Sequence, residues 1–585
     1  MEEILKGAFS IKDRLSPTSV DNTNPRFLMI DDMYYSGIIL VDYYREYDEI
    51  IFKNLMNSSI NMKISIFYER QEPYDTVRKL TYFIGNNALE INDKNQNKQD
   101  IDLVAFSYND AKYIRKEIQV NNEDLYFLYV YIELYSRDKK DLDQNMIKIE
   151  GLLQASGIMT RRATFRQNQI YLTCSPLGIN DGDLKEVARR NVLTQGLLAT
   201  YPFVSSTVCD KNGVFIGKNM YNQSIVMIDR FDKEKYKNAN MCIFGTSGAG
   251  KSFYTKLLIL RYRVLGIEQF VIDPEREYGK ICEYVDGTMI KLGPSSGTYI
   301  NIFDIRQESI EEESGYLASK LSKLRGFYSL IFENIDEETM AILEEKTIDV
   351  YRKKGITFND DSLFEKKDGK FNFKNATQMP VLEDLYNELN SIEYRKMQTK
   401  LYPFVKGSLK FFNNHTNIEI DNKLIVADIY DLGEENLKYG MYIFTDLFWD
   451  KIKKDRNVKK SIYLDEIWRL IGVTSNSFVA GFIYKIFKTI RKYGGSSVAI
   501  TQDISDLFSL QDGIYGKSIL NNSSIKTFFA LEEENIHLLS KYANISDKEK
   551  IEIKSLKKGE SLMFVGEDHL LVKIESSDME RMVIG

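Results

Sequence analysis

The stretch that most constrains this chain is a glycine-rich turn between an apolar run and an amphipathic segment. The run is MCIF (241–244), and the turn reads GTSGAGKS (245–252). Glycines let successive backbone N–H groups point at phosphate oxygens, a lysine adds positive charge, and a serine hydroxyl can ligate magnesium. Apolar residues then recur at helical spacing over 253–260, and a helix N-terminus favours anions. The sequence predicts a strand, a phosphate-binding turn and a helix.

We predict that this turn binds ATP with Mg²⁺. Lys251 would reach the β- and γ-phosphates, and the Ser252 hydroxyl would be a magnesium ligand. The alternative is a glycine turn without a ligand. The predicted nucleotide-binding residues are Gly245, Thr246, Ser247, Gly248, Ala249, Gly250, Lys251 and Ser252.

A second anchor for the magnesium ion is predicted in SIYLDEIWRL (461–470), where an apolar run ends in two acids. Asp465 would hold the magnesium shell, directly or through water. Glu466 would polarise the water that attacks the γ-phosphate. The alternative is that the two acids only cap the helix that follows.

Three further features adjoin these motifs. Gln502 closes the next predicted strand and is predicted to sense the γ-phosphate or orient water. Arg491 precedes that strand and is a candidate catalytic residue for its own site or for a neighbouring subunit's site. Either side chain can instead be an ordinary surface residue. DPERE (273–277) follows the second strand of the domain, and in an open parallel sheet such a loop lies at the ligand edge. Its alternative is a solvated acidic loop.

The length of 585 residues is enough for two or three domains. We predict an α+β N-terminal domain over 1–215 with ferredoxin-like βαβ layers. β-branched and aromatic residues predict strands at 61–69 and 123–135, and a strand is also expected at 168–176. Helices are expected at 139–156 and 183–200. This part has no catalytic cluster, which favours a docking or scaffold domain.

Residues 216–585 are predicted to form an α/β P-loop ATPase domain. Short continuous apolar runs suit strands buried on both faces of a parallel sheet. A charged, mostly helical stretch at about 305–420 is expected to be an insertion, and 213–232 is expected to be a hairpin. The predicted strands are 241–244, 268–272, 424–429, 461–464, 497–501, 525–530 and 561–565.

The composition is that of an ordinary soluble protein, with 43% hydrophobic and 28% charged residues. The net charge of −7 argues against a strongly basic nucleic-acid surface, although a local basic channel is compatible with it. The four cysteines and three histidines form no zinc or disulfide pattern. No apolar run is long enough to span a bilayer, and 1–16 is polar and unlike a signal peptide. We expect a cytoplasmic protein that reaches a membrane through partners.

The ordered set GTSGAGKS, DPEREY, LDEIW and RKYGG…ITQ resembles the conjugation ATPases of type IV secretion systems, the VirB-four/TraC-type family. Residues 174–203 and 401–414 also resemble segments of that family, so the resemblance covers most of the chain. It implies a RecA-like P-loop NTPase domain with a helical insertion, after a domain that docks at the inner face of the cell membrane. It also implies a homo-oligomer, commonly a hexamer, with nucleotide between subunits, and membrane proteins of the complex as partners. Some members carry an N-terminal membrane segment, which we do not find here.

Three functions are compatible with the sequence. The first is an ATPase that energises assembly of a conjugation apparatus or transfer of its DNA–protein substrate. The second is a DNA-translocating motor of the coupling-protein or HerA/FtsK group, which would bind DNA in a salt-dependent way. Coupling proteins usually carry transmembrane helices, which disfavours it, and direct contact with nucleic acid stays open. The third, a non-hydrolysing ring scaffold, conflicts with an intact P-loop and acid pair.

Overall fold

The computed structural model describes residues 17–44, 52–56, 58, 60–91, 98–201, 207–307, 315–332, 334–367, 370–418, 420–471, 477–509 and 513–585. The segment 1–16, which is predicted not to be a signal peptide, lies outside these residues. The chain divides into two compact units, Met1–Val204 and Ser205–Gly585. None of the described helices is both long and apolar enough to cross a membrane.

The first unit contains a sheet in which all described strand pairs are antiparallel. The strand order is β1-β2-β3-β5-β4, while β6 pairs with β3 and β7 pairs with β5. β-branched and aromatic side chains dominate the long strands, as suits a pleated, half-buried surface. The strands are β1 (Val20–Asp21), β2 (Leu28–Ile30), β3 (Met33–Asp42), β4 (Met62–Arg70), β5 (Leu125–Ser136), β6 (Met159–Arg162) and β7 (Arg190–Leu193).

Helices pack on β3, β5, β6 and β7. The helices are α1 (Lys53–Met56), α2 (Pro73–Ile91), α3 (Lys98–Val120), α4 (Lys139–Ala155), α5 (Gln167–Thr173), α6 (Gly182–Ala188) and α7 (Thr194–Leu198). α4 buries Leu142, Met146 and Ile149 at helical spacing against the sheet. The Asp138 side chain caps its N-terminus by accepting a 2.7 Å hydrogen bond from the Lys140 N–H.

Two predictions for this unit are wrong. The strand expected at 168–176 is helix α5, and its buried residues Gln167, Ile170 and Thr173 have the three-residue spacing of a helix face. The single helix expected at 183–200 is interrupted by β7, which pairs with β5. The ferredoxin-like assignment stays a prediction, because the connection from β3 to β4 runs partly outside the described residues.

The second unit is built on a mixed sheet with the order β12-β15-β11-β16-β17-β10-β18-β19-β20-β8-β9. Pairs from β12 to β18 are parallel, and pairs from β18 to β9 are antiparallel. β13 and β14 form a separate hairpin. The strands are β8 (Val214–Asn219), β9 (Ile225–Ile228), β10 (Met241–Phe244), β11 (Glu268–Asp273), β12 (Thr288–Lys291), β13 (Phe364–Lys367), β14 (Lys370–Phe373), β15 (Leu424–Asp428), β16 (Lys460–Leu464), β17 (Gly495–Thr501), β18 (Ile525–Phe528), β19 (Glu560–Val565) and β20 (Asp568–Ile574).

Every apolar run predicted as a strand in this unit forms one, and the hairpin expected at 213–232 is β8–β9. Four further strands, β12, β13, β14 and β20, were not predicted from the sequence. β18 and β19 are antiparallel, although their runs were assigned to a parallel sheet. The predicted domain boundary at 215/216 falls inside β8, which pairs with β20 in the sheet of the second unit.

The helices of the second unit cover the two faces of its sheet. In the chain, α10 to α13 follow β12 and precede β15. They are α8 (Lys251–Val264), α9 (Gly279–Tyr284), α10 (Tyr316–Ile331), α11 (Glu337–Lys353), α12 (Leu382–Glu388), α13 (Arg395–Val405), α14 (Leu437–Lys453), α15 (Trp468–Ile471), α16 (Ser477–Thr489), α17 (Ile504–Leu507), α18 (Ile514–Asn521), α19 (Glu533–Ser540), α20 (Asp547–Ser555) and α21 (Asp578–Ile584).

A buried charge cluster joins α10 to α14. Lys320 Nζ lies 3.1 Å from Asp446 Oδ2, and Lys323 Nζ lies 2.6 Å from Asp450 Oδ1. Arg306 Nη1 lies 2.9 Å from Asp450 Oδ2. Both lysines and both aspartates are buried. Burying charges costs free energy unless each keeps its partner, so the cluster requires α10 and α14 to stay together.

We predict that Asp446→Ala lowers the free energy of unfolding by about 3–5 kcal/mol, because Lys320 and Lys323 stay buried without this partner. Chemical denaturation followed by circular dichroism measures the change. Asp349→Ala is the control, since its pairs with Lys346 and Arg352 on α11 are more exposed. Its loss should stay below about 1 kcal/mol. Equal losses in the two variants would contradict the role of the cluster.

Candidate nucleotide-binding site

The candidate site forms where parallel strands end. β10 lies between β17 and β18, with Phe244 in register with both Thr501 and Phe528. β16 lies on the other side of β17, and β11 lies beside β16. Because the carboxyl ends of parallel strands meet at one edge, the turn after β10, Gln502 after β17 and the acids after β16 and β11 share that edge.

The turn after β10 needs glycine at specific positions. Gly248 and Gly250 have φ values of 76° and 116°, a backbone conformation that favours glycine. A Cβ atom on Gly245 would lie 2.7 Å from Phe529 Cβ. The sequence of the turn is therefore set by backbone conformation at two positions and by close packing at a third.

Neighbouring strands hold the turn in place. The Thr246 N–H donates a 3.0 Å hydrogen bond to the Ala530 carbonyl, just beyond β18. The Gly559 N–H, just before β19, donates to the Ala249 carbonyl at 3.3 Å. The turn is thus fixed at both ends by strands that are distant in sequence.

Lys251 begins α8 and folds back over the turn. Its Nζ donates to the Gly245 carbonyl at 2.9 Å and to the Thr246 carbonyl at 3.1 Å. Burial lowers the pKa of the Lys251 ammonium, and the carboxylates of Glu466 and Asp465 oppose that shift. The Lys251 ammonium thus lies at the turn and interacts with the acids after β16.

Asp465 is held by two hydrogen bonds. Its Oδ2 accepts a 2.8 Å hydrogen bond from the Tyr278 hydroxyl, and its Oδ1 accepts one of 3.0 Å from the Glu466 N–H. Burial, together with the nearby Glu466 carboxylate, raises the pKa of Asp465 to about 8. The Tyr278 hydroxyl opposes this shift.

Asp273 orders the acidic loop after β11. Its carboxylate accepts 3.0 Å hydrogen bonds from the N–H groups of Glu277 and Tyr278. Burial raises the pKa of Asp273 to about 6, although these hydrogen bonds favour the ionised form. The loop predicted to lie at the ligand edge is thus connected to Asp465 through Tyr278.

The residues present fit a magnesium ion. Asp465 is a buried carboxyl whose pKa is raised by burial and by nearby negative charge, and a divalent cation beside it would favour its ionised form. Ser252, the second residue of α8, supplies a hydroxyl oxygen, and hard cations prefer oxygen ligands. Within the described residues, no cluster of three or more His, Cys, Asp or Glu side chains forms a metal cage. Mg²⁺ is usually bound by one or two protein groups together with phosphates and water.

Glu466 is oriented by its own helix turn. It has a φ of 50°, and its Oε2 accepts a hydrogen bond from Trp468 Nε1. Burial raises the pKa of the Glu466 carboxyl, and Glu275 adds to the shift. A carboxylate with a raised pKa is a better general base at neutral pH. Gln502 is partly buried directly after β17.

The structure does not bring Arg491 to this edge. It lies in the turn Ile490–Tyr493, before β17 begins, and its Nη1 donates to the Lys237 carbonyl at 3.3 Å. β17 has seven residues, which at about 3.3 Å each span roughly 20 Å. A role at the site of its own chain is therefore wrong, because Arg491 lies at the amino ends of the strands. A role at a neighbouring subunit's site stays a prediction.

Sequence reasoning missed several residues of the site. Tyr278 lies within DPEREY but was not singled out, and its contact with Asp465 joins residues far apart in the chain. The Ala530 carbonyl and the Gly559 N–H act through the backbone, so side-chain chemistry gives no signal for them. Trp468 has a signal, because it lies two residues after the catalytic candidate Glu466.

The family model of the TraG P-loop domain matches residues 217–575. The chain belongs to the TraG P-loop domain family. The matched region contains every predicted nucleotide-site residue, as well as the helices between β12 and β15.

Comparisons with individual proteins agree with this membership. The chain is 23% identical to Protein TraC of Escherichia coli K12 over 407 residues, which are 66% of this chain and 44% of TraC. It is 20% identical to an uncharacterized protein of Bacillus anthracis over 418 residues, which are 62% of this chain and 64% of that protein. It thus spans less than two thirds of either relative.

A solved structure has the same fold. The structure of VirB4 of Thermoanaerobacter pseudethanolicus matches with a TM-score of 0.59 and 27% identity, over 64% of this chain and 100% of the VirB4 chain. The RecA-like P-loop NTPase fold and the conjugation and type IV secretion ATPase family predicted from the sequence are confirmed.

We predict that Gly245→Ala destabilises this TraG P-loop domain by about 1–3 kcal/mol, because its methyl group would force β10 and β18 apart. The midpoint of chemical denaturation measures the effect. Gly481→Ala is the control, since a Cβ atom at that position in α16 meets nothing within 4 Å. Alanine is favoured over glycine inside a helix, so the control should be unchanged or more stable. The prediction fails if both variants behave alike.

Proposed function

We propose that the protein is an ATP-hydrolysing motor of a conjugation or type IV secretion apparatus. It would energise assembly of the complex or transfer of its DNA–protein substrate. The observation that carries the proposal is the convergence of Lys251, Asp465 and Glu466 on the turn 245–252. Family membership and the likeness to VirB4 and TraC support the conjugation context.

The proposed chemistry follows from the positions of the side chains. Backbone N–H groups of the turn 245–252 and the Lys251 ammonium would bind the phosphates of ATP. Ser252 and Asp465 would hold Mg²⁺, which when bound neutralises phosphate charge. Glu466 would accept a proton from the attacking water, and Gln502 would orient that water or sense the γ-phosphate.

We propose that Arg491 acts in trans. A guanidinium beside the transferring phosphoryl group can contribute roughly 10³–10⁵ in rate. Arg491 lies at the edge of the sheet opposite to its own turn and is exposed. A ring of subunits, commonly six in proteins of this kind, would bring it to the site of a neighbour.

The first unit is proposed to be the docking domain, with a functional division near 215/216 and membrane proteins of the secretion complex as partners. Its described residues were assigned no catalytic constellation, and its layers are rich in strands. The motor would then work at the inner face of the membrane, held there by its partners.

We expect Lys251→Ala to abolish ATP hydrolysis, because the phosphates lose their buried ammonium. Glu466→Gln should still bind ATP and lose roughly 10²–10⁴ in turnover, the usual range for a general base. ATP affinity and turnover are measured separately on full-length protein. Lys256→Ala is the control, because it removes a lysine from the same helix but keeps Lys251. Normal hydrolysis by a folded Lys251→Ala variant, or a small equal loss in affinity and turnover for Glu466→Gln, would refute the assigned roles.

The trans role of Arg491 predicts rescue in mixed oligomers. Neither Arg491→Ala nor Lys251→Ala should hydrolyse ATP alone. When the two are mixed, some interfaces combine an intact turn with an intact arginine, so part of the activity should return. Mixing Lys492→Ala with Lys251→Ala controls for simple dilution. Absence of rescue in verified mixed oligomers, or full activity in a proven monomer, would exclude the trans role.

A further inference from the structure

The first unit has one long edge strand among its described strands. β4 has nine residues and pairs with β5 without a register shift. The opposite edge of the sheet is formed by shorter strands, β1, β2 and β6. Long unprotected edge strands pair with other chains, and natural proteins usually shorten, bulge or cover them.

The hydrogen bonds at both ends of the β4–β5 pairing show which residues point outward. The Tyr135 N–H donates to the Asn61 carbonyl at 3.3 Å, and the Gln71 N–H donates to the Leu125 carbonyl at 2.9 Å. Hydrogen-bonded pairs recur at every second residue of an antiparallel strand. Since residues 61 and 71 are both odd-numbered, the odd-numbered residues of β4 bond to β5. The N–H and C=O groups of the even-numbered residues point away from β5, and no described residue bonds to them.

The sequence of β4, MKISIFYER, is complementary to itself when reversed about Ile66. In that arrangement Ile66 faces Ile66 of a second copy, and Ile64 faces Tyr68. Pairs of β-branched and aromatic residues are favourable across antiparallel strands. Ile64 and Ile66 are only partly buried in the core of their own unit, and Tyr68 is 62% exposed.

Charges match in the same arrangement. Lys63 of one copy would face Glu69 of the other on the opposite side of the sheet, and the pair occurs twice. Within its own unit Lys63 Nζ lies 2.6 Å from Glu133 Oε2, and Glu69 Oε1 lies 2.6 Å from Lys185 Nζ. Both side chains keep exposed area, 39% for Lys63 and 43% for Glu69, so the new contacts would join these ion pairs across the interface. Centring the pairing on Ile64 or Tyr68 instead would lose these charge pairs and shorten the paired segment.

We infer that two copies of this chain join through β4, antiparallel and centred on Ile66, to form one continuous sheet. This interface is separate from the nucleotide site and does not depend on hydrolysis. It would link two motors through their first units, in addition to any ring contacts made by the second units.

Cysteine cross-linking tests the register. A Cys209→Ser background removes the exposed thiol, since the other three cysteines are buried. In an antiparallel sheet, the Cα atoms of two residues that form a hydrogen-bonded pair lie about 5.5 Å apart, within the range of a disulfide. Purified full-length Ile66→Cys should therefore form a covalent dimer on mild oxidation.

Tyr68→Cys is the matched control. Two copies of that residue would lie roughly 14 Å apart, too far for a disulfide. Although Tyr68 is more exposed than Ile66, Tyr68→Cys should give roughly tenfold less covalent dimer than Ile66→Cys. Mixing Ile64→Cys with Tyr68→Cys should restore cross-linking, because these residues face each other.

Ile66→Pro tests the interface without cross-linking. Proline removes an outward N–H that β5 does not use, and edge strands tolerate proline there. Sedimentation should show the dissociation constant of the dimer raised by at least about tenfold, with ATP hydrolysis unchanged.

The cysteine variants decide the matter even if Ile66→Pro does not fold. Equal cross-linking of Ile66→Cys and Tyr68→Cys would overturn the proposal. So would the absence of a covalent dimer in purified Ile66→Cys protein, which would leave the edge to a strand from another protein.

Discussion

The parallel pairing of β10 with β17 and β18 is the interaction on which the candidate site depends. Because these hydrogen bonds fix the register, Phe244, Thr501 and Phe528 end their strands at the same level. The turn 245–252 then starts beside the residues that follow both neighbours. The bond from the Thr246 N–H to the Ala530 carbonyl extends the same ladder into the turn. The turn 245–252 is thus held by the sheet rather than by its own sequence alone.

The electrostatics of the site follow from burial at that edge. Asp465, Glu466 and Asp273 are all buried, and burial is the largest cause of the raised pKa of each. Lys251 and Arg469 are nearby cations that oppose the upward shift in the pKa of Glu466. Such a surplus of buried acids is costly for the isolated chain. It becomes favourable when cations and hydrogen-bond donors arrive with a ligand, so the same acids that destabilise the fold prepare the site.

Much of the second unit could be predicted because short continuous apolar runs suit strands buried on both faces of a parallel sheet. The same reasoning could not separate parallel from antiparallel pairing for β18 and β19, since both strands are buried in this sheet. In the first unit, the strand expected at 168–176 is a helix. The spacing of Gln167, Ile170 and Thr173 contained the helical signal, and tertiary packing followed that spacing. Lys251, Asp465 and Glu466 could be proposed from their motifs. The roles of Tyr278, the Ala530 carbonyl and the Gly559 N–H depend on contacts between distant segments.

The position of Arg491 follows from strand direction. A residue that precedes a parallel strand lies at the edge opposite to a residue that follows it, however close the two are in sequence. Gln502 and Arg491 flank β17 and are thereby separated by its whole length. Motifs that are contiguous in the sequence thus divide between the two edges of the sheet. An arginine that precedes β17 is therefore placed away from the turn 245–252 of its own chain, however near the two lie to the same strand in the sequence.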